Sequence, residues 1–170
     1  MKLNIPNILT TARIILVPIY LWVFYTYGEN KLKYAILILI IAGITDILDG
    51  YIARKYNMIT RLGTVLDPIA DKLTTFAVLL SLSSERLIPF WILLVLAIKE
   101  FILLLGGSYL YCFKDRKVVS ANKFGKIASA SFYLAVFFII LNINPAINNL
   151  FLYLMVFLHL IALTNYLLSY

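Results

Sequence analysis

The stretch Ile44–Leu73, "ITDILDGYIARKYNMITRLGTVLDPIADKL", sets four aspartates (Asp46, Asp49, Asp67 and Asp71) between long apolar runs. The chain around it is 63% hydrophobic and only 14% charged, with a mean hydropathy of +0.95. Soluble domains carry about 25% charged residues, so the 170 residues read as one membrane domain rather than a water-soluble one. A net charge of +7 fits basic loops against anionic headgroups, and no nucleic-acid partner is expected. Cys112 is the only cysteine, which excludes an intrachain disulfide. Pro6 interrupts the N-terminus and no small-residue cleavage site follows, so the first apolar run is expected to be a retained helix rather than a signal peptide.

A spanning helix needs about 20 apolar residues. By that measure six segments qualify, at 8–27, 32–55, 63–83, 87–112, 124–141 and 147–168. They predict an all-α integral membrane protein, a six-transmembrane-helix bundle filling residues 1–170 as a single domain. Alternate helix ends collect Lys2, Arg54, Lys55, Arg61, Lys114, Arg116, Lys117, Lys123 and Lys126 on one side and Lys31, Lys33 and Arg86 on the other. The positive-inside rule then places both termini in the cytoplasm, with the aspartates near the cytoplasmic face of the cell membrane. Lys99 and Glu100 interrupt the fourth segment. Neighbours in a helix do not face each other, so the expectation is separate contacts with the bundle interior rather than a direct ion pair.

Asp46, Asp49 and Ala53 share one helical face, and Asp67 and Asp71 share one on the next helix. The intervening loop makes the two helices antiparallel neighbours whose carboxylates can meet in one cavity. Carboxylates that close repel unless cations neutralise them. Hard divalent ions with oxygen ligands, Mg²⁺ above all, meet that need and commonly bind substrate phosphates as well. Gly50 and Ala53 leave room for a ligand, and the planar donor fork of Arg54 suits phosphate. Together these features point to phosphoryl transfer on a lipid. The competing structural reading pairs the aspartates with Arg54, Lys55, Arg61 and Lys72.

The pattern Asp46-x2-Asp49-Gly50-x2-Ala53-Arg54-x8-Gly63-x3-Asp67-x3-Asp71 resembles the signature of the CDP-alcohol phosphatidyltransferase family. The six-helix layout resembles that family over essentially the whole chain. The opening "PNILTTARIILVP" (residues 6–18) resembles the family branch that uses glycerol-3-phosphate. The resemblance implies an enzyme that cleaves CDP-diacylglycerol, releases CMP and joins the phosphatidyl group to an acceptor hydroxyl. It implies two metal ions per site, Mg²⁺ with Mn²⁺ as a substitute, held by Asp46, Asp49, Asp67 and Asp71. Asp71 would also be the general base. Gly50, Ala53 and Arg54 would bind the CDP moiety. Asn7, Thr10 and Arg13, which share a face at the start of the first helix, would line the same nucleotide site; helix capping is the structural alternative for Asn7 and Thr10. Homodimers are the family's usual state.

For the acceptor's phosphate the candidates are Lys126, Lys123 and Lys99, with Arg116 and Lys117 behind them. Two departures bear on this. Where the glycerol-3-phosphate branch has Arg-Glu-Phe and a later arginine, this chain has Lys99-Glu100-Phe101 and Gly107. Where that branch has Gly-Lys-x-Lys-Thr, this chain has Gly125-Lys126-Ile127-Ala128-Ser129. Fewer cations would suit a less anionic acceptor, phosphatidylglycerol, giving a CDP-using cardiolipin synthase as the second reading. An ion-coupled transporter is disfavoured, since the acids lie at one face without inverted repeats. A membrane prenyltransferase is disfavoured because residues 46–71 hold both aspartate pairs, rather than two well-separated aspartate motifs. His159, alone on the last helix, reads as a packed residue.

Overall fold

The computed structural model describes residues 4–58, 60–113, 123–141 and 144–168. Among these the chain is all-helical: α1 (Ile5–Thr26), α2 (Lys31–Lys55), α3 (Arg61–Ser84), α4 (Phe90–Phe113), α5 (Lys123–Leu141) and α6 (Pro145–Leu168), with a single 3₁₀ turn at Gly28–Asn30. Among the described residues four stretches are long and apolar enough to cross a membrane: Ile5–Thr26, Gly28–Lys55, Phe124–Leu141 and Pro145–Leu168. In α3 the first half carries Asp67, Asp71 and Lys72, which lowers its apolar character. Large side chains such as Ile47, 71% exposed, and Leu150, 64% exposed, point outward. Apolar exteriors of this kind suit lipid rather than water.

The helices fall into two compact units, α1–α3 up to Glu85 and α4–α6 from Arg86. In the first, α1 packs on both α2 and α3, and Tyr20, Phe24, Leu39, Ala42, Ala77 and Val78 fill the interior. The Ser81 hydroxyl donates to Val78 O, so the buried Tyr20 hydroxyl, 2.7 Å away, is the donor between the two. Lys31 meets Glu85 at 2.6 Å, tying the start of α2 to the end of α3.

The helix ends follow from local chemistry. Pro6 stands in the first turn of α1, where its missing N–H has no helical partner to lose. It therefore opens the helix, which starts at Ile5, three residues ahead of the predicted 8–27 segment. Beyond α2, Asn57 adopts a left-handed backbone (φ 53°), and Met58 N–H bonds back to Ala53 O at 2.9 Å. That is the Schellman closure, which asparagine tolerates better than most residues. Thr60 then caps α3, its hydroxyl accepting from Gly63 N–H at 3.0 Å.

In the second unit α5 and α6 pack along each other and α4 touches α6. Ile92, Leu96 and Lys99 of α4, Phe132 and Ala135 of α5, and Met155 and His159 of α6 are buried. The Phe138 and Phe151 rings stack at 4.1 Å. His159 Nδ1 lies 3.0 Å from Met155 O, one turn back on its own helix; it is a packed residue, as the sequence suggested. Lys99 and Glu100 form the ion pair that their adjacency argued against, with Nζ 2.6 Å from Oε1. Their Cβ atoms diverge, but the four-carbon lysine stem is long enough to fold back. With Lys99 only 8% exposed, pairing removes much of the cost of a buried charge.

Candidate active site

All four aspartates lie in the α1–α3 unit, and the element that gathers them is α1. The Arg13 guanidinium, buried between the other two helices, contacts three of them. Its Nη1 touches Asp46 Oδ1 and is 2.9 Å from Asp71 Oδ1, and its Nη2 is 2.5 Å from Asp49 Oδ2. Two carboxylates from different helices therefore share one guanidinium nitrogen.

The fourth, Asp67, joins through Thr10. The Thr10 hydroxyl lies 2.7 Å from Asp67 Oδ1, 3.3 Å from Asp49 Oδ2 and 3.1 Å from Pro6 O. A hydroxyl has one proton to give, and the shortest of these contacts sends it to Asp67. The predicted convergence of both Asp pairs is thus present. Arg13 of α1 is the partner that three of the aspartates share, a residue absent from the structural alternative, which invoked Arg54, Lys55, Arg61 and Lys72. Lys55 instead meets the Tyr51 hydroxyl at 3.0 Å.

Beside this cluster opens a cavity of about 320 Å³, within the usual range for small-molecule sites. Asn7 and Thr10 line it from α1 and Asp49, Gly50, Ala53 and Arg54 from α2. Gly63 and Asp67 line it from α3. The Arg54 side chain folds along Gly50, where a Cβ would meet its guanidinium at 3.5–3.8 Å. Asp46, Asp71 and Arg13 are not among the lining residues; Arg13 stands behind the carboxylates.

A close approach from α1 is the reason position 63 is glycine. It sits inside the first turn of α3. A Cβ there would fall 2.9 Å from Asn7 Oδ1 and 3.2 Å from Thr60 Oγ1, so the glycine admits the Asn7 side chain. Neither Asn7 nor Thr10 caps α1: the N-cap is Asn4, which makes no side-chain capping bond. Asn4 Nδ2 instead donates to Met58 O at 3.1 Å, pinning the α2–α3 connection. Sequence reasoning missed Thr60, although a threonine just ahead of a helical run is a capping signal.

Arg13 brings one positive charge to the three carboxylates it touches, and Asp67 adds a fourth negative charge through Thr10. This excess of hard oxygen donors fits a divalent cation in chemistry. In their present orientation, turned onto Arg13 and Thr10, no three acidic or histidine side chains among the described residues form a ready-made metal cage.

Among the acceptor candidates, Lys126 is exposed and Lys99 is paired with Glu100. Arg116 and Lys117 lie outside the described residues, as do the side chains of Lys123 and Cys112.

An acidic cluster beside a cavity with an arginine on its wall, in a chain of long apolar helices, defines a multi-pass membrane protein with a site suited to phosphate chemistry. The profile of the CDP-alcohol phosphatidyltransferase family matches residues 3–163, and the chain belongs to that family. It is 37% identical over 154 residues to the CDP-diacylglycerol–glycerol-3-phosphate 3-phosphatidyltransferase of Bacillus subtilis (strain 168), covering 84% of this chain and 79% of that one. The protein of the same name from Haemophilus influenzae is 37% identical over 138 residues, covering 79% of this chain and 74% of that one. A cardiolipin synthase (CMP-forming) from Streptomyces coelicolor is 41% identical over 105 residues, covering 60% of this chain and 49% of that one.

Proposed function

We propose that the protein transfers the phosphatidyl group of CDP-diacylglycerol to glycerol-3-phosphate, releasing CMP and forming phosphatidylglycerophosphate. The observation that carries this reading is the cavity where Asp49, Gly50, Ala53, Arg54, Gly63 and Asp67 meet, in a chain with relatives, matched over 79% and 74% of their length, that bear that activity in their names.

In this scheme Arg54 holds the pyrophosphate, Gly50 and Ala53 leave room for the cytidine, and Asn7 and Thr10 present polar groups to it. Arg13 serves the nucleotide site from behind by holding Asp46, Asp49 and Asp71. These three and Asp67 are the residues that would hold two divalent cations, Mg²⁺ or Mn²⁺, which when bound stabilise the attacking and leaving oxygens of an in-line displacement. The acceptor oxygen attacks the phosphorus that carries the diacylglycerol. The bond from that phosphorus to the bridging oxygen breaks, and CMP leaves with the electron pair. Asp71 takes the hydroxyl proton, as a general base within reach of the acceptor must.

The acceptor's own charge is assigned to Lys126, Lys123 and Lys99. A phosphatidylglycerol acceptor is the second reading; it is favoured by the lysine and glycine that replace arginines at positions 99 and 107 and by the similarity to the Streptomyces protein. Six membrane spans, cytoplasmic termini, a site opening to the cytoplasm and a homodimer complete the proposal, supported by the Lys/Arg distribution and by the family resemblance.

The test is Asp71→Asn in detergent-purified protein. CMP release from CDP-diacylglycerol with Mg²⁺ should vanish while the melting temperature holds. Turnover close to wild type would remove Asp71 as the base.

A further inference from the structure

Thr60 lies outside the aspartate signature, yet it sits at the junction of two functional elements. Its hydroxyl accepts from Gly63 N–H at 3.0 Å and donates to Asn7 Oδ1 at 2.9 Å. The first bond caps α3. The second crosses to α1, 53 residues away in sequence. The Asn7 atom facing that hydroxyl is the carbonyl oxygen, so the single hydroxyl proton is directed at it, and the amide NH₂ is left as the end available to the cavity that Asn7 lines. The absent Cβ of Gly63 gives the Asn7 oxygen its space.

We infer that Thr60 is a positioning residue: it fixes the Asn7 amide so that a hydrogen-bond donor faces the nucleotide moiety of the lipid substrate. A nucleotide ligand offers acceptors, in its phosphate oxygens and in the carbonyl and ring nitrogen of a pyrimidine. An amide free to rotate would present its own oxygen to those acceptors part of the time. The inference rests on the reading of this cavity as the nucleotide site.

The test is kinetic, on the full chain in mixed micelles of detergent and CDP-diacylglycerol, with melting temperature measured in parallel. Losing one oriented hydrogen bond should raise the KM for CDP-diacylglycerol about three- to tenfold in Thr60→Val, with a smaller change in kcat. Thr60→Ser, which keeps both bonds, should restore the KM. Thr60→Asp is the variant that separates the two roles. Its carboxylate can still cap α3 by accepting from Gly63 N–H but cannot donate to Asn7, so the melting temperature should hold while the KM rises. It also serves if Thr60→Val fails to fold.

Asn7→Ala should raise the KM by itself, and adding Thr60→Val or Thr60→Asp to it should raise the KM no further. A Thr60→Val or Thr60→Asp protein with the wild-type KM would reduce Thr60 to a helix cap and overturn the inference. Effects that multiply in the double variants would overturn it too, since Thr60 would then not act through Asn7. A wild-type KM in Asn7→Ala would instead remove Asn7 from the nucleotide site, and the inference would fall with that reading.

Discussion

Replacing Arg13 by methionine keeps an unbranched apolar stem and removes the guanidinium with its charge. The guanidinium is 2% exposed, the Asp49 side chain 5%, and those of Asp46 and Asp71 48% and 53%. The two half-exposed pairs are worth at most about 1 kcal/mol each after screening. The Asp49 pair dominates, because removing one partner of a buried pair strands the other and costs about 3–5 kcal/mol. For a chain of this size that corresponds to a fall in melting temperature of roughly 6–20 °C. The assay is thermal unfolding of purified protein in detergent with EDTA, so that Arg13 is the cation under test. Adding Asp49→Asn to Arg13→Met should recover part of the loss, since the stranded charge is then gone. A fall of less than about 2 °C, or a double variant that loses the sum of both single effects, would refute the view of Arg13 as the counter-ion that gathers the carboxylates.

Asp67→Ala should move the midpoint of the Mg²⁺ titration of CMP release upward by about tenfold or more, the scale seen when the surroundings of a metal site are disturbed; an unchanged midpoint would exclude a ligand role. Gly63→Ala should separate stability from binding. Alanine favours the helix by up to about 1 kcal/mol, but its Cβ would lie 2.9 Å from Asn7 Oδ1, so the KM for CDP-diacylglycerol should rise about threefold or more without a loss of melting temperature. A wild-type KM would mean that the Asn7 amide can yield at no cost to binding. Lys126→Ala should raise the KM for glycerol-3-phosphate and leave that for CDP-diacylglycerol unaltered; the reverse pattern in initial-rate kinetics would remove Lys126 from the acceptor's recognition.

The helices were legible because apolar run length is a one-dimensional signal, and the convergence of Asp46 and Asp49 with Asp67 and Asp71 followed from helical spacing plus a short connection. The ends were read less well where one residue has two uses. Pro6 reads as an interruption but serves as a helix opener, and Thr60 stands in the connection between two apolar runs yet caps α3. What could not be read along the chain was the contribution of α1. The three carboxylates that Arg13 contacts lie 33 to 58 residues away in sequence, and only packing selects Arg13 over Arg54 or Lys55 as their partner. The same holds for Gly63, whose neighbour Asn7 is remote in sequence. Lys99 and Glu100 failed for a different reason: divergent Cβ directions do not forbid a pair when one side chain is long and both are shielded from water.

Transfer of a phosphatidyl group to glycerol-3-phosphate can be followed by supplying purified protein with CDP-diacylglycerol, Mg²⁺ and either radiolabelled glycerol-3-phosphate or radiolabelled phosphatidylglycerol, and measuring CMP together with the labelled lipid formed. CMP release matched by labelled phosphatidylglycerophosphate is expected with the first acceptor, and little product with the second. Cardiolipin formed from phosphatidylglycerol, with no turnover of glycerol-3-phosphate, would contradict the proposed transfer.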